Sequence, residues 1–112
     1  MSVIRHTGLV TTNLKKSLLF WTKYLKFKIH KEMDEEGELI DSIMQYDNVK
    51  LKTFKLKDKN NNLLELLYFK NRPKTRFTKI KPYTNGFTHI SITVKNLDAL
   101  YLNLLKRKIV FN

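Results

Sequence analysis

Cysteine is absent from this 112-residue chain. That excludes disulfides, thiolate metal sites and a thiol nucleophile. No apolar run approaches the roughly 20 residues of a membrane span. The short N-terminal apolar run is broken by Arg5, His6 and Lys15, so nothing there reads as a secretory leader. Arginine is sparse, with 4 Arg beside 18 Lys behind a formal charge of +12. Arginine is the better reader of phosphates and bases, so the charge by itself is a weak sign of nucleic-acid binding. The 10 Asn and 8 Ile found beside the lysines match the amino-acid bias of an AT-rich genome. Most lysines therefore read as solvated surface. The expectation is a cytoplasmic protein without a membrane partner.

What is present fits one structural domain with a modest core, 42% apolar and 29% charged,. Residues 3–10 alternate as a strand, with Ile4, His6, Gly8 and Val10 on one face. Asn13 is placed to cap a helix over 14–25, whose apolar stripe is Leu14, Leu18, Trp21 and Leu25, widened by Leu19 and Phe20. A strand is expected over 27–33 and a turn around Gly37. Residues 39–46 have both strand-like and helix-like features. The lysine-interleaved run 50–57 suits a half-exposed strand. Residues 58–62, "DKNNN", suit a hairpin turn, and the apolar run 63–69 suits a buried strand. His30 reads as a surface or strand residue.

Residues 70–81 hold six basic residues in "KNRPKTRFTKIK". They read as an exposed linker, or as a contact for an anionic substrate or a phosphate-bearing carrier. Beyond them the pattern restarts. "RHTGLVTTNL" at 5–14 and "THISITVKNL" at 88–97 both carry His second and Asn-Leu last, 83 residues apart. Residues 87–94 read as a strand, Asn96 as a helix cap, and 97–106 as an amphipathic helix through Leu97, Leu100, Tyr101, Leu104 and Leu105. The terminal "KIVFN" reads as the opening of one more strand. This is an internal repeat of long period.

Three residues stand out. His6 and His89 coincide in the repeat, and Glu65 is a lone acid among six apolar neighbours in 63–69. An unpaired buried carboxylate is costly, so Glu65 needs a partner. A metal would serve, and so would Arg5 or a lysine. If His6, Glu65 and His89 meet in one concavity, two imidazoles and a carboxylate suit a divalent metal.

At these residues the chain resembles the vicinal oxygen chelate superfamily, which includes glyoxalase I, bleomycin-resistance proteins and extradiol dioxygenases. The resemblance is carried by "IRHTGLVTTNLKKSLLFWTKYLKFK", "NLLELLYF" and "GFTHISITVKNLDALYLNLLKRKIVF". It implies an α+β fold of paired βαβββ modules forming a cup-shaped sheet around a divalent ion such as Zn, Ni, Co, Mn or Fe. His6 and Glu65 match the first- and last-strand ligands of module one, and His89 matches the first-strand ligand of module two. The fourth family ligand, usually a Glu, would fall beyond Asn112.

The chain accordingly divides into a first module (1–69), a basic linker (70–85) and the start of a second module (86–112), truncated after its helix or completed by a partner chain. A homodimer is expected from the way such modules pair. The implied activity is that of a metal-dependent lyase, isomerase or dioxygenase, acting on a small substrate that chelates the metal through neighbouring oxygens. Glu65 is preferred as ligand over base, and no catalytic base is assigned. The alternative is a metal-free small-molecule-binding or resistance protein on the same fold. A basic nucleic-acid-binding domain ranks third.

Overall fold

The computed structural model describes residues 1–74, 80–87 and 89–111. Residues 75–79 of the basic segment, Thr88 of the expected strand and Asn112 lie outside the described residues. The chain forms two compact units, Met1–Lys74 and Thr75–Asn112. In the first, the order is β1 (Thr7–Val10), α1 (Leu14–Leu18), β2 (Lys28–Glu35), α2 (Glu38–Met44), β3 (Leu51–Lys57) and β4 (Leu63–Phe69). In the second, α3 spans Leu97–Lys106.

The four strands form one mixed sheet in the order β1-β4-β3-β2. β1 runs parallel to β4, and the other two pairings are antiparallel. The β3–β4 hairpin turns through residues 58–62, as the composition predicts. Asp58 Oδ1 accepts from the Asn60 and Asn62 backbone N–H, both at 2.9 Å, and Asn62 Nδ2 donates to Asp58 Oδ2 at 2.9 Å. An Asp that bonds its own turn is a recurrent way to close such loops.

Alternation sorts the side chains of β3 and β4 onto two faces. Phe54, Leu56, Leu64 and Leu66 form a buried cluster with Trp21, and Leu14, Leu18, Phe20, Leu25 and Phe27 pack against it. This is the helix face, covered by the stripe the sequence predicts. Fully burying one such side chain stabilises by about 1.5–3 kcal/mol. Within the first unit, α2 covers one end of the opposite face. There Ile40 of α2 joins Val49 and Leu51, with Met44, Tyr46, Leu67 and Phe69 packed around them.

Several expectations need correction. The helix over 14–25 is α-helical only to Leu18 and continues as a π-helix over Leu19–Tyr24. Leu25 N–H donates to the Phe20 carbonyl at 3.1 Å, while the Thr22 hydroxyl donates to the Leu18 carbonyl at 2.6 Å. The two-way reading of residues 39–46 resolves to the helix Glu38–Met44, with Gln45 in the left-handed conformation behind it. Residues 3–6 lie outside β1, which starts at Thr7.

In the second unit, the described residues among 87–94 form no strand. Alternation alone makes no ladder, because a strand needs a hydrogen-bonded neighbour. Residues 108–111 are likewise not a strand. Lys108 has φ +60°, and Lys108 and Ile109 N–H turn back onto the Leu105 and Leu104 carbonyls at 3.0 and 3.1 Å. They therefore terminate α3, as left-handed residues after helices do.

The repeated caps do hold. Asn13 Oδ1 accepts from Lys16 N–H and Asn96 Oδ1 from Ala99 N–H, each at 3.0 Å. Of the α3 stripe, Leu104 is buried and Leu100 half-buried, while Leu97, Tyr101 and Leu105 are exposed. No helix among the described residues is long and apolar enough to cross a membrane.

Candidate functional site

The end of the sheet's second face away from α2 holds the charged residues of interest. Register places Gly8 beside Glu65, Glu65 opposite Lys55, and Lys55 opposite Lys31. One row therefore crosses all four strands. Gly8 has no side chain to fill the space next to Glu65, and a Cβ there would lie 3.2 Å from Leu67 Cδ1. His6 precedes β1 by one residue, and its side chain shares the Gly8 face.

Glu65 sits between two basic groups. Its Oε1 lies 3.9 Å from His6 Nε2, and its Oε2 lies 3.9 Å from Lys55 Nζ. Side-chain exposure is 15% for Glu65, 20% for Lys55 and 34% for His6. The carboxylate is thus the most enclosed member, and each oxygen faces a different partner. A carboxylate in a low-dielectric setting needs such neighbours. The open question between a metal, an arginine and a lysine resolves in part: a lysine, Lys55, is beside Glu65, together with His6.

The donor set fits a divalent ion in part. A carboxylate oxygen and an imidazole nitrogen face one another, and both atom types suit Zn or a neighbouring first-row metal. His89 belongs to the second unit, where it is exposed and lies seven residues before the Asn96 cap. Within the first unit the described ligand-type residues form a pair, His6 and Glu65. His30, read as a strand or surface residue, is exposed on β2 where the pairing with β3 shifts register.

Lys55 was not singled out by the sequence reading, although a signal for it exists. Counting outward from the 58–62 turn pairs Lys57 with Leu63 and Lys55 with Glu65, as observed. A shallow concavity beside α2 is lined by Glu38, Asp41, Ser42, Gln45, Tyr46 and Asp47 and includes none of these groups. Asp41 is committed there to structure. Its Oδ1 and Oδ2 accept from Val49 and Asn48 backbone N–H at 2.8 and 3.0 Å. Burial, and secondarily the Asp41 charge, pushes the neighbouring Tyr46 phenol above its ordinary value.

A family model described as Glyoxalase/Bleomycin resistance protein/Dioxygenase superfamily matches residues 3–112. Among solved structures, a glyoxalase family protein from Bacillus cereus superposes with TM-score 0.81 at 15% identity, over 93% of this chain and 70% of that one. The trypanothione-dependent glyoxalase I of Leishmania major superposes with TM-score 0.62 at 18% identity, over 96% of this chain and 68% of that one. At these identities the likeness is one of fold. No curated protein matches the sequence.

Proposed function

Because the chain belongs to the Glyoxalase/Bleomycin resistance protein/Dioxygenase superfamily, we propose that it is a glyoxalase-like metal-dependent enzyme whose ion is held by His6 and Glu65. The activity is that of a lyase, isomerase or dioxygenase on a small substrate that offers two neighbouring oxygens. The observation that carries this reading is the His6–Glu65 pair, with Nε2 and Oε1 at 3.9 Å. The α+β architecture of four mixed strands and three α-helices supports it.

When bound, a divalent ion would supply Lewis-acid stabilisation of negative charge on the substrate oxygens. The chain's own residues do the rest. Glu65 presents Oε1 toward His6 while Lys55 faces Oε2. An outer partner such as Lys55 would tune the affinity of Glu65 for the ion. Gly8 keeps the adjoining position clear, and α2 closes the far end of the face with Ile40 and Met44.

The test is metal stoichiometry of the purified chain after reconstitution, with elemental analysis as readout. His6→Ala and Glu65→Ala should each abolish tight binding. A chain that takes up no divalent ion overturns the reading. One observation favours a second reading, a metal-free binding protein: Lys55 already gives Glu65 a cationic neighbour. Small-molecule binding by a chain that takes up no divalent ion would select it. A homodimer is part of the first reading. Among the described strands β1 is paired on one side only and exposes Leu9 and Val10, an edge that proteins ordinarily cover. Sedimentation showing only monomer would remove that element.

A further inference from the structure

The sheet distributes its charges unevenly between faces. On the helix face, β2 and β3 neutralise each other. Lys52 Nζ meets Glu32 Oε1 at 2.8 Å and lies opposite Asp34 in the register. On the other face the same two strands bring lysine against lysine. Lys28 is opposite Lys57, and Lys31 is opposite Lys55. Like charges directly opposite each other destabilise a sheet, although a one-residue shift of β2 would bring Glu32 opposite Lys55. Compensating negative charge on this face would offset the repulsion.

Glu65 supplies only part of it. Among the described residues it is the one carboxylate within ion-pair distance of Lys55, and it is shared with His6. Lys55 is four-fifths enclosed, at 20% side-chain exposure. Its ammonium is held beside Glu65 rather than extended into solvent. At 3.9 Å from Oε2 it still has donors to offer,. Lys57, two residues along the same strand, is half-buried on the same face. Solvated surface lysines do not have this enclosure.

We propose that this face recognises an oxyanion of the substrate, a carboxylate or a phosphate, seated on Lys55 with Lys57 and Lys31 beside it and adjacent to the His6–Glu65 pair. The inference rests on the reading of this face as the substrate face and adds the chemical class of the substrate. It does not need the metal. An anion held there would present its neighbouring atoms toward Glu65.

The experiment titrates the full chain in chelator with inorganic phosphate and, separately, with glycolate, following backbone amide shifts by NMR. Saturable shifts centred on residues 55–57 and 63–65 are expected. Lys55→Gln should weaken binding roughly ten-fold or more, as for loss of one charge-assisted hydrogen bond, while Lys55→Arg should retain it and Lys108→Gln should leave it unchanged. The tighter probe assigns phosphate or carboxylate. Where Lys55→Gln fails to fold, Lys57→Gln is the second variant, expected to weaken binding several-fold. Non-saturating shifts spread over lysines of both faces, or equal binding by the folded Lys55 and Lys57 variants, overturn the proposal. Chelator is present throughout, so failure of the metal reading appears only in the elemental analysis, and failure of this one only in the titration.

Discussion

Glu65→Gln separates the two roles assigned to this carboxylate. The substitution keeps size and planarity and removes the charge. At the 3.9 Å that separates Lys55 Nζ from Oε2, an effective dielectric of about 20 gives an attraction of roughly 4 kcal/mol. Desolvation of two largely enclosed groups opposes most of it. The metal-free variant should therefore lose only about 1 kcal/mol, on the order of 5 °C in Tm for a domain of this size. The metal contribution is larger. An ion at a hundred times its Kd stabilises the folded chain by about 2.7 kcal/mol, whereas a variant that binds a hundred-fold more weakly keeps only about 0.4 kcal/mol at the same concentration. Thermal melts by circular dichroism, in chelator and in excess zinc or nickel, read both terms. The metal-induced rise should nearly vanish in Glu65→Gln while the chelator melt moves little. Equal metal-induced rises in the two proteins would refute the assignment of Glu65 as ligand. A loss above about 3 kcal/mol in chelator would mark it as a structural charge whose removal strands Lys55.

Trp21→Ala should destabilise by about 3–5 kcal/mol in urea unfolding, because Trp21 is 7% exposed and packs edge-on to Phe20 and Phe27 with ring centroids at 5.5 and 5.1 Å; a loss under about 1 kcal/mol would contradict that core. Asn13→Ala should cost about 1 kcal/mol by removing the bond from Lys16 N–H,, and Asn13→Asp should recover it. The Asn62 side chain, with the Asn62 and Asn60 N–H groups, holds Asp58 below its ordinary value of 3.8. A depressed folded pKa contributes stability that is present above 3.8 and lost as pH falls through the lower folded value,. The stability gap between wild type and Asp58→Ala should therefore narrow below pH 3.8, and a gap that stays constant into strong acid would contradict it.

Local chemistry was legible wherever it acted within a few residues. The Asn13 and Asn96 caps, the 58–62 turn and the Leu14–Leu18–Trp21–Leu25 stripe follow from spacing alone, and the structure has each. What spacing could not supply was competition for backbone partners. The π-helical stretch after Leu18 involves the i−5 carbonyls and the Thr22 hydroxyl, and a 3.6-residue stripe is blind to that change. Residues 39–46 were ambiguous because their apolar positions serve a short helix that covers only one end of the sheet. The segment 87–94 alternates like a strand and 108–111 is apolar like the opening of one, but pairing defines a strand, and Lys108 turns the chain back onto α3 instead.

The candidate site shows the same division. Glu65 was conspicuous as an acid in an apolar run, yet its partners depend on register across three strands. The antiparallel half of that register was countable from the hairpin, since a five-residue loop between Lys57 and Leu63 sets Lys55 opposite Glu65. The parallel half was not, because residues 11–62 intervene between β1 and β4 and no turn fixes Gly8 beside Glu65. His6 reached Glu65 only through that long crossover. Net charge hid Lys55 for a related reason. A total of +12 reads as uniform surface until the faces are separated. Once they are, Lys52 is neutralised on one face by Glu32, whereas Lys28, Lys31, Lys55 and Lys57 share the other, where Lys55 lies within ion-pair distance of Glu65. It is this local excess beside the His6–Glu65 pair, rather than the overall charge, that gives the sheet a preference for an anionic substrate.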